Sequence, residues 1–149
     1  MSRPVRIIIA GTREFESYNV LNTFMNKTIR ELKETFEGIP NISFDKDNIQ
    51  VVSGGAKGAD KLGEQWAIKH KLPFIRFVPK WDIHGKYAGI LRNKDMASYA
   101  SGSEEEIEPF GILIAFWDGK SYGTKNMIIE AKKKNLMVFV KQIRIKKDK

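Results

Sequence analysis

Most of the residues in this chain that could do chemistry lie in three glycine-bearing stretches, each following a short apolar run. They are Gly11-Thr12-Arg13, Ser53-Gly54-Gly55-Ala56-Lys57-Gly58-Ala59-Asp60 and Asp118-Gly119-Lys120-Ser121-Tyr122-Gly123-Thr124. Glycine has no Cβ, so backbone N–H groups can crowd an anion there and the chain can enter positive φ. The second and third stretches open segments of helical spacing, whose first N–H groups and positive dipole end suit phosphate. Arg13 adds a cation able to grip phosphate or carboxylate. Arg92-Asn93, just inside another helix start, sets a guanidinium and an amide where both can face the same crevice. The candidate ligand-binding set is therefore Gly11, Thr12, Arg13, Ser53, Gly54, Gly55, Ala56, Gly58, Ala59, Asp60, Arg92, Asn93, Asp118, Gly119, Ser121, Gly123 and Thr124.

Familiar alternatives fit poorly. Gly55 and Gly58 match the last two glycines of G-x-G-x-x-G, but Ser53 stands at the first, and Phe77-Val78-Pro79 is followed by Lys80 rather than an acidic ribose ligand. Neither long glycine loop fits G-x-x-x-x-G-K-[ST], and no serine sits in G-x-S-x-G. His70 and His84 are the only histidines and lie far apart, and Cys is absent, so no metal site is expected. Asp60 and Asp118 suit helix capping or hydrogen bonding to ribose hydroxyls. Trp81 and Tyr87 are core or rim aromatics, and an aromatic beside a nucleotide crevice can stack on a base.

Five short apolar runs must position these loops: Val5–Ala10, Ile49–Ser53, Phe74–Pro79, Gly111–Trp117 and Leu136–Val140. Runs of this length without alternation suit strands buried on both faces of a parallel sheet. Between them, Leu21, Phe24, Met25, Ile29, Leu32 and Phe36 share one face of a helix from about Tyr18 to Gly38. Ala59, Leu62, Trp66 and Ala67 mark a second helix, and Arg92–Ala100 and Thr124–Lys134 read as two more. Strand alternating with helix predicts an α/β, doubly wound, mainly parallel five-stranded sheet with helices on both faces. With strand order 3-2-1-4-5, the switch point falls between strands one and four, and the three glycine loops ring one crevice at the carboxyl ends of the strands.

The 149 residues suit one domain, and 42% hydrophobic with 30% charged residues excludes collagen-like and wholly disordered chains. No apolar run approaches the roughly 18 residues of a membrane span, and the N-terminal run is too short for a signal peptide. The expectation is a soluble, cytoplasmic protein without membrane contact. Between Lys132 and Lys149, seven Lys and one Arg face one Asp, so seven of the eight net positive charges lie there. Such a run reads as a solvated terminus, so residues 1–140 are taken as the domain and 141–149 as a basic tail. Ser101–Glu106 reads as a solvated polar loop.

Taken with Trp81, Gly85, Ala88-Gly89, Arg92-Asn93-Lys94-Asp95-Met96 and Phe116-Trp117, the three glycine blocks resemble the YspA-like branch of the SLOG superfamily. The resemblance runs from about Val5 to Val140. The superfamily also includes the LOG phosphoribohydrolases and the DNA-processing protein A family. It implies a Rossmann-like domain that binds nucleotides or nucleotide-derived molecules. Some relatives cleave N-glycosidic bonds, others are proposed as ligand sensors, and the branch occurs in bacteria and phages. The phosphoribohydrolases resemble P-G-G-x-G-T-x-x-E in the last loop, whereas here Met127 stands at the Glu position and Glu130 comes one helical turn later.

The leading expectation is thus a nucleotide-ligand binder that acts as a sensor or sequestering protein, with no cofactor. Two alternatives accompany it. One is an N-glycosidic hydrolase drawing its carboxylate from Asp60, Asp118 or Glu130. The other is a single-stranded nucleic-acid binder using the basic tail. Self-association into a homo-oligomer is a further expectation from the resemblance.

Overall fold

Pleating sends Val5, Ile7 and Ile9 of the first strand to one side of the sheet and Ile8 and Ala10 to the other, and all five are buried. The same division recurs in the fourth strand, with Ile112, Ile114 and Phe116 opposite Leu113 and Ala115. A strand buried on both faces has no polar side, which explains the unbroken apolar runs. The computed structural model describes residues 2–145. Its strands are β1 (Val5–Gly11), β2 (Ile49–Ser53), β3 (Phe74–Arg76), β4 (Phe110–Trp117) and β5 (Met137–Gln142), ordered β3-β2-β1-β4-β5 with every pairing parallel. This is the α/β, Rossmann-like doubly wound sheet that the sequence implied.

Helices α1 (Tyr18–Thr35) and α2 (Ala59–Lys69) pack Leu21, Met25, Leu32, Trp66 and Ala67 on the Val5–Ile7–Ile9 face. Helices α4 (Ala88–Ser101) and α5 (Tyr122–Lys133) pack Met96, Ala97, Ala100, Met127 and Ala131 on the other. Before α4 the chain makes the single-turn α3 (Trp81–His84) and a 3-10 turn over Gly85–Tyr87. The Ser17 hydroxyl starts α1 by accepting the Val20 N–H (3.2 Å).

Several boundaries differ from the sequence expectations. β3 is only three residues long, because the chain leaves the ladder once the Phe77 N–H reaches the Ser53 carbonyl (2.8 Å), and Pro79 has no N–H to offer. α4 begins four residues before Arg92, with Gly89 inside its first turn. The loop after α4 is anchored rather than simply solvated: Glu105 takes a two-pronged bond from the Arg6 guanidinium, which lies 3.9 Å from the Tyr99 ring centroid. Past Val140, β5 runs on to Gln142, the Ile143 N–H bonds the Trp117 carbonyl (2.9 Å), and Ile143 is buried in the core. Residues 141–145 thus belong to the packed structure, and the rest of the expected basic tail lies outside the described residues. β5 pairs with β4 alone, so its outer side has no strand partner among the described residues. Met137 and Val140 are exposed on that strand. No described helix is long and apolar enough to cross a membrane.

Candidate functional site

Thr12, directly after β1, is fully buried and joins the three loops. Its N–H bonds the Phe116 carbonyl at the end of β4 (2.9 Å), its carbonyl accepts from Ala59 N–H at the start of α2 (3.3 Å), and its hydroxyl accepts from Asp118 N–H (3.2 Å). The sequence placed Thr12 among the ligand contacts. The structure gives it a positioning role beneath them.

The loop after β2 is held from below. Ser53 donates its hydroxyl proton to Glu64 Oε2 (2.7 Å) and accepts the Gly55 N–H (3.0 Å), while Asp60 Oδ2 accepts the Ala56 N–H (3.2 Å). The Gly55 and Ala56 amides are therefore occupied by the protein's own side chains. Glycine serves a different purpose here than crowding amides around an anion. A Cβ on Gly54 would lie 2.5 Å from Arg92 Nη1, and one on Gly55 would lie 2.6 Å from Arg76 Cδ. Gly55 also has φ +73°, which only glycine adopts cheaply. Two consecutive glycines thus make room for two arginines.

Arg92 Nη1 donates to the Gly54 carbonyl (2.6 Å), and its Nε donates to Asn93 Oδ1 (3.0 Å). The buried Asn93 amide spends its N–H groups on Asn126 Oδ1 (2.9 Å) and the Gly123 carbonyl (3.3 Å), tying α4 to the first turn of α5. Arg76 grips Glu64 through Nε (2.8 Å) and Nη2. Asp118 Oδ1 accepts from Lys120 and Ser121 N–H (2.9 and 2.8 Å), a side-chain turn that aims the chain into α5. At that helix start, intrahelical bonding begins only with Lys125 N–H to the Ser121 carbonyl (3.1 Å). The amides of Tyr122, Gly123 and Thr124 are the open donors of the first turn, beside the Ser121 and Thr124 hydroxyls, which lie 3.2 Å apart.

These loops surround a cleft of about 460 Å³. It is lined by Gly11, Arg13, Ala56, Asp60, Arg92, Asn93, Asp118, Ser121, Gly123 and Thr124 from the expected set, and also by Glu14, Trp81, Lys86, Gly89, Ile90, Lys120, Tyr122 and Met127. A neighbouring lobe of about 380 Å³ shares Arg13, Ala56, Trp81 and Arg92 with it and adds Gly54, Gly55, Lys57, Arg76, Val78 and Pro79. Arg13 is exposed and makes no salt bridge or side-chain hydrogen bond among the described residues. Ser53, Gly58 and Ala59, like Thr12, lie behind the walls. A Cβ on Gly58 would sit 2.3 Å from the Arg13 carbonyl, and Gly119 faces Gln142.

The carboxylates divide by environment. Burial raises the Asp60 carboxyl to about 6, against the opposing pull of Arg92 and the Ala56 N–H. Burial also acts to raise Glu64, but the bonds from Arg76 and Ser53 win and hold it below the usual range. Asp118 ends below its ordinary value too, with the Ser121 and Lys120 amides outweighing its desolvation. Desolvation draws the Arg92 guanidinium down, countered by Asp60. Glu130 stands apart: it is buried on α5 outside the cleft walls, 3.8 Å from Lys133 Nζ, while Met127 lines the cleft in its stead. No group of three or more potential metal ligands gathers among the described residues.

Sequence reasoning named Trp81 as a core or rim aromatic able to stack on a base but left it out of the ligand-binding set, and it missed the Glu64–Arg76 pair. The pair's signal was faint: an acid one turn into α2 and a cation ending β3, both ordinary surface types.

Comparison with known proteins agrees with this architecture. Gene 61 protein of Mycobacterium phage D29 is 34% identical over 93 residues, covering 59% of this chain and 67% of the phage protein. DNA processing protein A from Streptococcus pneumoniae shares the fold, with a TM-score of 0.59 at 17% identity over 93% of this chain. The chain spans 50% of that structure's length. The family model described as YspA, cpYpsA-related SLOG matches residues 5–84, the segment that carries β1, the β2 loop and α2. With more than half of its length matched, the chain belongs to the YspA, cpYpsA-related SLOG family.

Proposed function

We propose that the protein binds a nucleotide or nucleotide-derived small molecule in the cleft between the β1, β2 and β4 loops, as a sensor or sequestering protein. The observation that carries this reading is convergence. Two guanidinium groups, Arg13 and Arg92, and the open first turn of α5 come from three chain segments onto one 460 Å³ space. In this reading a phosphate takes the Tyr122, Gly123 and Thr124 amides and the Ser121 hydroxyl, and the arginines balance its charge. The exposed Trp81 ring offers a stacking surface for a base, and the Asp118 carboxylate an acceptor for a ribose hydroxyl. Membership of the SLOG family supports a nucleotide-related or DNA-processing role in general.

A thermal-shift and calorimetric screen of nucleoside mono- and diphosphates, cyclic nucleotides and ADP-ribose tests the proposal. Stabilisation by at least one of them is expected, with Arg13→Ala weakening it by about tenfold or more. Silence from every compound, or an Arg13→Ala protein that binds like the parent, overturns it.

One observation favours a second reading. Asp60, poised near 6 in the cleft wall, is the one described cleft carboxyl raised toward neutrality, as an acid–base group acting on an N-glycosidic bond requires. Release of free base from nucleoside 5′-monophosphates, abolished by Asp60→Asn, is its signature. Release that persists in the variant removes Asp60 from the chemistry.

A further inference from the structure

The second lobe carries charge of one sign. Its lining includes Arg13, Lys57, Arg76 and Arg92 and no carboxylate among the described residues, whereas the larger lobe mixes Arg13, Lys86, Arg92 and Lys120 with Glu14, Asp60 and Asp118. Two acids stand next to this lining without being part of it: Asp60 Oδ2 accepts the Ala56 N–H (3.2 Å) and faces Arg92, and Glu64 lies behind Arg76, bonded to Nε and Nη2. That grip fixes the guanidinium plane and leaves Nη1 without a partner among the described residues. Gly54 makes room for Arg92 and Gly55 for Arg76, and Arg13 stands near enough to Arg92 to oppose its charge. Packing like charges together costs energy unless an anion joins them. Arg13 and Arg92 line both lobes, so groups held in the two would be neighbours across the same guanidinium groups.

Resting on the nucleotide reading above, we propose that the second lobe is a separate anion subsite built by Arg76 and Lys57. The ligand then carries two separated anionic groups, one at the first turn of α5 and one over Gly54–Gly55. A 5′-phosphorylated dinucleotide has this form, and a nucleoside 5′-monophosphate does not. Trp81, which lines both lobes, lies where the bridging nucleoside would pass.

Calorimetry on the full chain should compare the four ribonucleoside 5′-monophosphates with the four matching 5′-phosphorylated homodinucleotides. The expected result is at least one base for which the dinucleotide binds about tenfold or more tightly, since charge-assisted contacts are the strong ones. Lys57→Ala and Arg76→Gln should each bring that ratio close to one. Lys57 is exposed and unpaired among the described residues, so its removal leaves the fold intact even if Arg76→Gln strains Glu64. Equal affinities in the parent, or a ratio unmoved by both variants, overturn the second subsite while mononucleotide binding preserves the first reading. If no probe of either kind binds, both fall.

Discussion

Arg92 Nη1 sits 2.6 Å from the Gly54 carbonyl, at the very place where a side chain on Gly54 would have to begin. The contact joins α4, which crosses over from β3 to β4, to the loop after β2, and it sets one cleft cation from a backbone oxygen. Gly54→Ala should therefore displace the guanidinium rather than unfold the chain. We expect nucleotide affinity to fall by about tenfold and stability by ~1–2 kcal/mol, the usual scale for a steric change at a buried contact. Calorimetry alongside urea unfolding separates the two effects. An alanine variant with parental affinity would show that Arg92 has no part in binding.

Asp60 makes stability depend on pH in an unusual direction. Its folded carboxyl holds a proton up to about 6, against an ordinary value of 3.8, so between these the folded chain binds more protons than the unfolded one. Stability then falls as pH rises through that window. Asp60→Asn keeps an oxygen for the Ala56 N–H and removes the charge. The variant should exceed the parent by ~2–3 kcal/mol above pH ~7, since each tenfold change in proton affinity is worth about 1.4 kcal/mol. Near pH ~4 the two proteins should match. Urea titrations across this range read the difference directly.

Glu64 works in the opposite sense. Its folded carboxyl lies below the ordinary value, so its contribution is complete above the unfolded pKa and disappears as pH drops through the folded one. Glu64→Gln should cost ~1 kcal/mol at neutral pH, a figure kept small because Arg76 is 42% exposed. The deficit should close on acidification. A deficit that stays constant from neutral to acid pH would rule out the ion pair as its source.

Asn93 links Arg92 to the first turn of α5, so removing its amide loosens two binding elements at once. Asn93→Ala should destabilise the protein by ~1–3 kcal/mol, the cost of leaving buried polar partners unmet. Hydrogen exchange should quicken at the start of α5 and remain parental in β1. Equal protection at α5 in variant and parent would contradict the linkage.

The strands were legible because burial on both faces leaves no polar interruptions: Val5–Ala10 and Gly111–Trp117 each fall within a residue of the observed ends. The crossover before β4 was harder to read. Gly85 and Gly89 break the helical spacing there, and the stretch from Trp81 to Leu91 exposes Trp81, Ile83, Tyr87 and Leu91, so no apolar face announces α3 or the first turn of α4. The glycine loops were legible as a cluster, since parallel order places their strand ends together. The work of single residues was not. Thr12 and Ser53 look like ligand hydroxyls in the sequence, yet three-dimensional packing turns them inward, and nothing local distinguishes an inward hydroxyl from an outward one. Gly54 and Gly55 owe their identity to arginines 38 and 21 positions away, a dependence invisible until the chain is folded.

The outer flank of β5, without a strand partner among the described residues, gives the lopsided charge of this chain a different meaning. An open strand margin bearing Met137 and Val140 invites the same margin of another molecule to zip onto it. Lys141 within the strand, with Lys132, Lys133 and Lys134 just ahead of it, would bring positive charge toward positive charge if two such margins met. On this view the lysines keep molecules apart as much as they attract polyanions. Lys141→Thr should raise light scattering in concentrated solution, and concentrated salt should do the same to the parent.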